Sequence, residues 1–329
     1  MVIDTHSHFL PLDLVEELRA GAHPEIVVDD DGDQPWLRYS TGIRFPVQAS
    51  FHDVATKLDH MDAVGIDVAL VSIAAPLFLY ELDPAETVRL ARTVNDAAGE
   101  LAGASDGRLR GMATIPLNDP AAAADELRRA HGELGLRGVE LGTSVGPQAM
   151  LDGPELDAVW AVAAELGIPV FLHPHLSMSG EGRPPGTDRY FLANSVGNPL
   201  ETHTAAARLI LGGVLDRHPG LVAHLAHGGG SLPYQLARLD RTYQLREEVR
   251  AVAERRPLEY LKNFLFDTVL YDDAPIDFLI GFVGAERVVF GTDYPFDMED
   301  LTGLRVADRL GEEAAERILA GNAQAAYGL

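Results

Sequence analysis

The sequence contains no cysteine. That absence removes disulfides, thiolate zinc sites, iron–sulfur clusters and cysteine nucleophiles together. Positive charge is scarce: 26 Lys and Arg stand against 50 Asp and Glu, for a formal net charge of −24. A nucleic-acid binder needs a basic face to displace phosphate counterions, so nucleic acid is not an expected partner. An anionic membrane surface would repel the chain as well. No apolar run approaches the ~20 residues of a membrane span. No basic segment followed by an apolar stretch marks a signal peptide, so the expected location is cytoplasmic. No Gly-rich phosphate fingerprint follows the first apolar run, which argues against a doubly wound nucleotide-binding sheet.

What is present is a repeat of short apolar runs, each followed by a helical pattern. The runs are "VIDTHSH" (2–8), "DVALVSIA" (67–74), "LRGMATIPL" (109–117), "RGVELGTS" (137–144), "IPVFLHP" (168–174), "LVAHLAHGG" (221–229), "NFLFDTVL" (263–270) and "RVVFGTDYP" (287–295). They are short, rich in β-branched residues and nearly unbroken in hydrophobicity, as buried parallel strands should be. Helix starts of the form Asp-Pro precede "AETVRLARTVNDAAGELAGA" and "AAAADELRRAHGEL", and Pro suits the first helical position. Eight strands alternating with helices predict a TIM-like (β/α)8 barrel, since eight is the number that closes one. The 329 residues are expected to form one domain, as barrels of ~250 residues grow by insertion. Residues 25–47 read as a small β-hairpin inserted after strand one, with "DDDGD" as its turn. Residues 175–198 read as a long loop after strand five. Both insertions belong at the strand C-terminal side, where barrels build active sites.

Side chains alternate along a strand, so His6 and His8 share a face, with Asp4 below them. A lone HxH is weak. However, His173, His227 and Asp293 fall at the ends of strands five, six and eight, and such ends converge in a barrel. Imidazole and carboxylate suit Zn²⁺, with Mn²⁺ or Fe²⁺ as alternatives. Such a site leaves a place for a water whose pKa falls from about 16 to ~7. His224 competes with His227. It lies mid-strand, whereas His227 sits at the strand end beside three glycines, and His227 is preferred.

The residues "DTHSHFLP", "RFPV", "HP" at 173–174, "HGGGSLPYQLARLD", "GTDYPFDMED" and "RILAGNAQAAYGL" resemble the amidohydrolase superfamily. The resemblance narrows to its aminocarboxymuconate-semialdehyde decarboxylase-like branch and spans nearly the whole chain. It implies that His6, His8, His173 and Asp293 bind one catalytic metal, and that His227 is the acid/base residue. It implies that Arg44 binds a substrate carboxylate. It also implies that Arg238, with Arg246 as a second candidate, is donated across a homodimer. An Arg fork fits a carboxylate in two places. Tyr190 and Phe191 fall where relatives place a bulky aromatic over the substrate. His175 is a departure from those relatives. It is either a substrate contact or a solvated loop histidine. Asp4 is expected to orient a ligand histidine.

Binuclear amidohydrolases carry a carbamylated lysine at the end of strand four. This chain has only Lys57 and Lys262, and neither is there, so one metal is expected unless Glu140 contributes. The expected activity is metal-dependent, nonoxidative decarboxylation of a small aromatic or dienic carboxylic acid, with His227 or Asp293 moving the proton. The alternative is hydrolysis of a lactone, amide or C–C bond at the same site.

Overall fold

The computed structural model describes residues 1–30, 32, 34–40, 44–179 and 182–329. Eight parallel strands form its wall: β1 (Ile3–Phe9), β2 (Val68–Ile73), β3 (Leu109–Gly111), β4 (Val139–Gly142), β5 (Val170–His173), β6 (Ala223–Leu225), β7 (Phe264–Asp267) and β8 (Val288–Val289). Ladders run β1–β2–β3 and β4–β5–β6–β7–β8. Parallel bridges Ala113–Val139 and Ser7–Tyr294 join the two ladders at both edges and close the circle. The fold is a (β/α)8 barrel, as the alternating pattern predicts.

The helices that follow the strands are α1 (Val54–Val64), α2 (Pro84–Gly103), α3 (Pro120–Gly132), α4 (Asp157–Leu166), α5 (Asn198–Leu211), α6 (Leu232–Leu245), α7 (Asp273–Val283) and α8 (Asn322–Tyr327). Aspartate starts four of them. The side chains of Asp53, Asp83, Asp119 and Asp272 accept the backbone N–H groups of Thr56, Ala85, Ala122 and Ala274. Each such cap contributes about 1 kcal/mol. α2 turns Leu90, Ala91, Val94, Ala98 and Leu101 inward, the three-to-four spacing of a helix that covers a sheet.

Several strands stop short of the apolar runs that announced them. After β3 the chain leaves the ladder because Asn95 takes over as its partner. The Asn95 side chain donates to Thr114 O at 2.9 Å and accepts Thr114 N–H at 2.8 Å. β6 ends at Leu225 because Gly228, Gly229 and Gly230 all take positive φ.

The inserted segment has one more strand than a hairpin. Ile26–Asp29, Trp36–Tyr39 and Arg44–Pro46 form a three-stranded antiparallel sheet. Of its expected turn, Asp31 and Asp33 lie outside the described residues. The loop after β5 contains a short helix, Leu176–Ser179, and a π-type turn, Ala193–Gly197, that runs into α5; Gly180 and Glu181 in it lie outside the described residues. Inside the barrel, Ile3, Leu70, Met112 and Phe171 pack against Ala323 and Tyr327 of α8. This apolar layer closes one end. No helix is long and apolar enough to cross a membrane among the described residues.

Candidate metal centre

Barrel closure places the first and last strands' functional residues together. His8 N–H donates to Tyr294 O, and Asp293 N–H donates to His6 O, both at 2.7 Å. The ring of His6 lies 5.2 Å from that of His8 and 5.1 Å from that of His173, centroid to centroid. His173 is also 5.1 Å from His8 and from His227. His6, His8, His173, His227 and Asp293 therefore converge, as their strand-end positions predict.

The three imidazoles assigned to the metal are anchored alike. Nδ1 of His6 meets Asp267 Oδ2 at 2.7 Å, Nδ1 of His8 meets Ile73 O at 3.2 Å, and Nδ1 of His173 meets Pro174 O at 2.8 Å. Each acceptor selects the Nδ1–H tautomer, which leaves the Nε2 lone pair free. Nε2 of His6 and of His173 is buried without a hydrogen-bond partner. Nε2 of His6 and of His8 stand 3.4 Å and 3.1 Å from the same Asp293 oxygen, Oδ1. Asp293 turns its other oxygen, Oδ2, to His227 Nε2 at 3.4 Å. Buried, orphaned nitrogens around a carboxylate form the donor set of a divalent-metal site, so these residues fit such an ion.

The electrostatics agree with that reading. Burial alone would raise the Asp293 pKa. Without a metal, the charge of His6 and the close approach of the His227, His6 and His8 rings outweigh it and hold the carboxyl well below its usual range. Burial, together with the charges of His8, His227 and His6, pushes His173 well down. Burial also lowers His8. Both histidines are thus neutral, the form that binds metals. His6 behaves oppositely. Burial lowers its pKa, but Asp293 and Asp267 raise it further, to about 10 without a metal.

His227 owes its position to a turn rather than to strand alternation. It follows the end of β6 and takes φ 55°, and Asp293 takes φ 64°. Such left-handed geometry at non-glycine residues is costly and clusters at functional sites. The adjoining glycines are required by space: a Cβ on Gly230 would lie 2.2 Å from Pro199 O. His224 faces elsewhere. Its ring stacks on Phe171 at 4.5 Å and its Nδ1 meets Tyr327 OH at 2.8 Å.

Asp267 is the residue that sequence reasoning missed. It ends β7, and besides His6 it accepts the backbone N–H of His227 at 3.0 Å and of Gly228 at 2.9 Å. It stands at a strand end like the others, in "LFDTV", and that position was the available signal. Asp4 departs from expectation. A register irregularity between Asp4 and Ser7 turns it off the histidine face. It lines a small cavity with Ser7, Lys57 and Met61. It accepts backbone N–H groups of His6 and Thr292, at 3.0 Å and 3.1 Å, and no imidazole N–H. Burial raises its pKa to about 7. Lys57 is buried and donates to His8 O on β1 at 2.6 Å.

The expected substrate contacts are less well gathered. Arg44 is exposed and lies over the Trp36 ring at 4.7 Å. Alternation turns the next residue, Phe45, inward onto Phe296, which touches the ring of His8. The structure thus does not bring Arg44 to the cluster. Tyr190 is 80% exposed with Arg189 against its ring, and Phe191 is 54% exposed; neither covers the site within this chain. Arg238 is exposed in the middle of α6, and Arg246 is exposed just beyond its end. His175 is not solvated. It is buried against Phe78 and Tyr80, with Nδ1 unpartnered. It packs over Gly142, where a Cβ would lie 2.4 Å from its ring.

The Amidohydrolase family model matches residues 3–329. The chain belongs to that family. It is 31% identical over 287 residues to 2-amino-3-carboxymuconate-6-semialdehyde decarboxylase of Dictyostelium discoideum, covering 86% of this chain and 79% of that protein. It is 31% identical over 310 residues to gamma-resorcylate decarboxylase of Rhodococcus jostii (strain RHA1), covering 88% and 92%. Among solved structures, 5-carboxyvanillate decarboxylase of Sphingomonas paucimobilis superposes with a TM-score of 0.82 at 26% identity, covering 100% of this chain and 99% of that one.

Proposed function

We propose that this protein is a metal-dependent, nonoxidative carboxy-lyase acting on a small aromatic or dienic carboxylic acid, with the whole chain as one catalytic domain. The observation that carries the reading is the division of Asp293. One oxygen faces Nε2 of His6 and His8, and the other faces Nε2 of His227. A metal donor set and a proton carrier thus meet at one carboxylate. The relatives support decarboxylation over hydrolysis, since they act on an aminocarboxymuconate semialdehyde and on an aromatic acid.

His6, His8 and His173 would hold the ion through Nε2, and Asp293 through Oδ1. A bound divalent ion supplies positive charge against the substrate carboxylate or an adjacent hydroxyl as charge develops. Zinc suits three imidazoles and a carboxylate, with Mn²⁺ or Fe²⁺ as alternatives. Asp267, Ile73 O and Pro174 O fix the three rings. His227 carries a proton at Nε2, where Asp293 Oδ2 steadies it. As the bond to the carboxyl carbon breaks, its electron pair stays on the substrate carbon and CO₂ leaves. His227 gives that carbon the proton, so one carboxylate and one proton become CO₂ and a C–H bond. His175 packs over Gly142 and is proposed as part of the pocket wall.

The chain is further proposed to act as a homodimer. Arg238 is exposed and has no side-chain partner among the described residues. It would reach the substrate carboxylate of the neighbouring subunit.

The test is CO₂ release from a panel of ortho-hydroxybenzoic and muconate-type acids, with and without added Zn²⁺ or Mn²⁺. Metal-dependent CO₂ release supports the reading. A product that has gained water, with no CO₂, overturns it in favour of hydrolysis.

A further inference from the structure

Glu140 ends up buried on β4, and burial pushes its pKa well above the usual carboxylate range. It is 0% exposed, and neither carboxylate oxygen has a hydrogen-bond partner. The Ser72 hydroxyl beside it donates to Ser7 O, at 3.3 Å. Within 4 Å its ion-pair neighbour among the described residues is His8, with Nδ1 3.8 Å from Oε1. A carboxylate removed from water is costly unless a cation or hydrogen bonds replace the solvent. Natural proteins leave few such groups without a reason, and an absent ion is one of the standard reasons.

We propose that Glu140 is a further ligand of the ion held by His6, His8, His173 and Asp293; this rests on the metal site proposed above. Donor atoms of His8, Glu140 and His173 all lie within 4.8 Å of one another, as do those of His6, His173, His227 and Asp293. The two groups share His173. Its Nδ1 is committed to Pro174 O, so a single free nitrogen is left, and one nitrogen serves one ion. The shared nitrogen of His173 favours one centre over two. A second carboxylate adds a hard oxygen donor, which shifts preference towards Mn²⁺ or Fe²⁺ relative to Zn²⁺.

The test compares wild type with E140Q, which keeps the shape and removes the charge, and with E140D, which keeps the charge and retracts it. Mn²⁺ and Zn²⁺ affinities are measured by chelator competition, metal content by elemental analysis, and the ligand set by the visible absorption of the Co²⁺ form. Expected are one ion per chain in each protein, at least a tenfold weaker Mn²⁺ affinity in E140Q, and a smaller loss for Zn²⁺. The Co²⁺ bands of E140Q should change, and its metal-free Tm should equal or exceed that of wild type. Should E140Q fail to fold, E140D carries the same comparison. Unchanged affinities and an unchanged Co²⁺ spectrum overturn the assignment of Glu140 and leave the four-ligand site standing. Two ions per chain in wild type also overturn it. A wild type that binds no ion overturns the metal site itself.

Discussion

Asp267 binds His6 through a hydrogen bond of 2.7 Å between Oδ2 and Nδ1. The same carboxylate accepts the backbone N–H groups of His227 and Gly228. One side chain on β7 thus fixes the imidazole of a proposed metal ligand on β1 and the turn that carries the proposed proton donor after β6. Burial raises the Asp267 pKa, but the hydrogen bond from His6 and the charge of that ring outweigh it and hold the carboxyl below its usual range.

Asp267→Asn keeps the shape but weakens both roles. Supporting carboxylates of this kind typically contribute 10–100-fold to metal affinity or activity. The expected outcome is a drop of about that size in kcat/KM together with weaker metal binding, in a protein of unchanged circular dichroism. Full activity and wild-type metal affinity would remove Asp267 from the account.

His227→Asn separates proton transfer from metal binding. General acid catalysis contributes roughly 10²–10⁴-fold, so kcat should fall within that range. Metal content should remain at the wild-type level, because His6, His8, His173 and Asp293 are untouched. Loss of the metal along with activity would make His227 a ligand instead.

Arg238→Ala tests the shared site. Removal of a charged hydrogen bond costs about 1.5–3 kcal/mol, so kcat/KM should fall roughly 10- to 100-fold. Metal content and thermal melting should not change, and sedimentation should report a dimer. Full activity in the variant would refute donation of this arginine across an interface.

His224, which is not proposed as a metal ligand or proton donor, gives a pH prediction. Burial pushes its pKa from 6.5 down to about 3. Between those values the unfolded chain binds a proton that the folded chain refuses. Stability therefore falls as pH drops through that window, and is unaffected by this group above it. His224→Phe keeps the stack on Phe171 but cannot titrate. It should cost about 1 kcal/mol at pH 7 through the lost Tyr327 bond. Below pH 6.5 its stability should fall less steeply than that of wild type. Urea midpoints of the metal-free proteins across pH 4–8 check this, and parallel profiles would contradict it.

Much of this was legible in the sequence because barrel strands carry a local signature. Each run of β-branched residues marked a strand, and the residue that broke the run, as in His173 or Asp293, marked the mouth of the barrel. Asp267 broke its run in the same way and passed unnoticed, since a lone Asp has no motif. What failed was whatever depended on backbone detail. A register irregularity in β1 turned Asp4 away from His6 and His8. A left-handed residue after β6, not strand alternation, aimed His227. Arg44 and Phe45 lie side by side in sequence, and only the observed pairing of their strand shows that Phe45 is the inward one. The burial of His175 depends on Gly142, Phe78 and Tyr80, residues distant in sequence that periodicity cannot bring together.

The central claim is that one divalent ion at this cluster supports loss of CO₂. Its most direct test is titration of chelator-treated enzyme with Zn²⁺ or Mn²⁺, recording metal bound and CO₂ released from a carboxyl-labelled substrate of the panel. The account predicts no CO₂ without metal, a rise that saturates at one equivalent per chain, and no rise in His6→Ala. CO₂ release that persists without metal, or that saturates only at two equivalents, would contradict it.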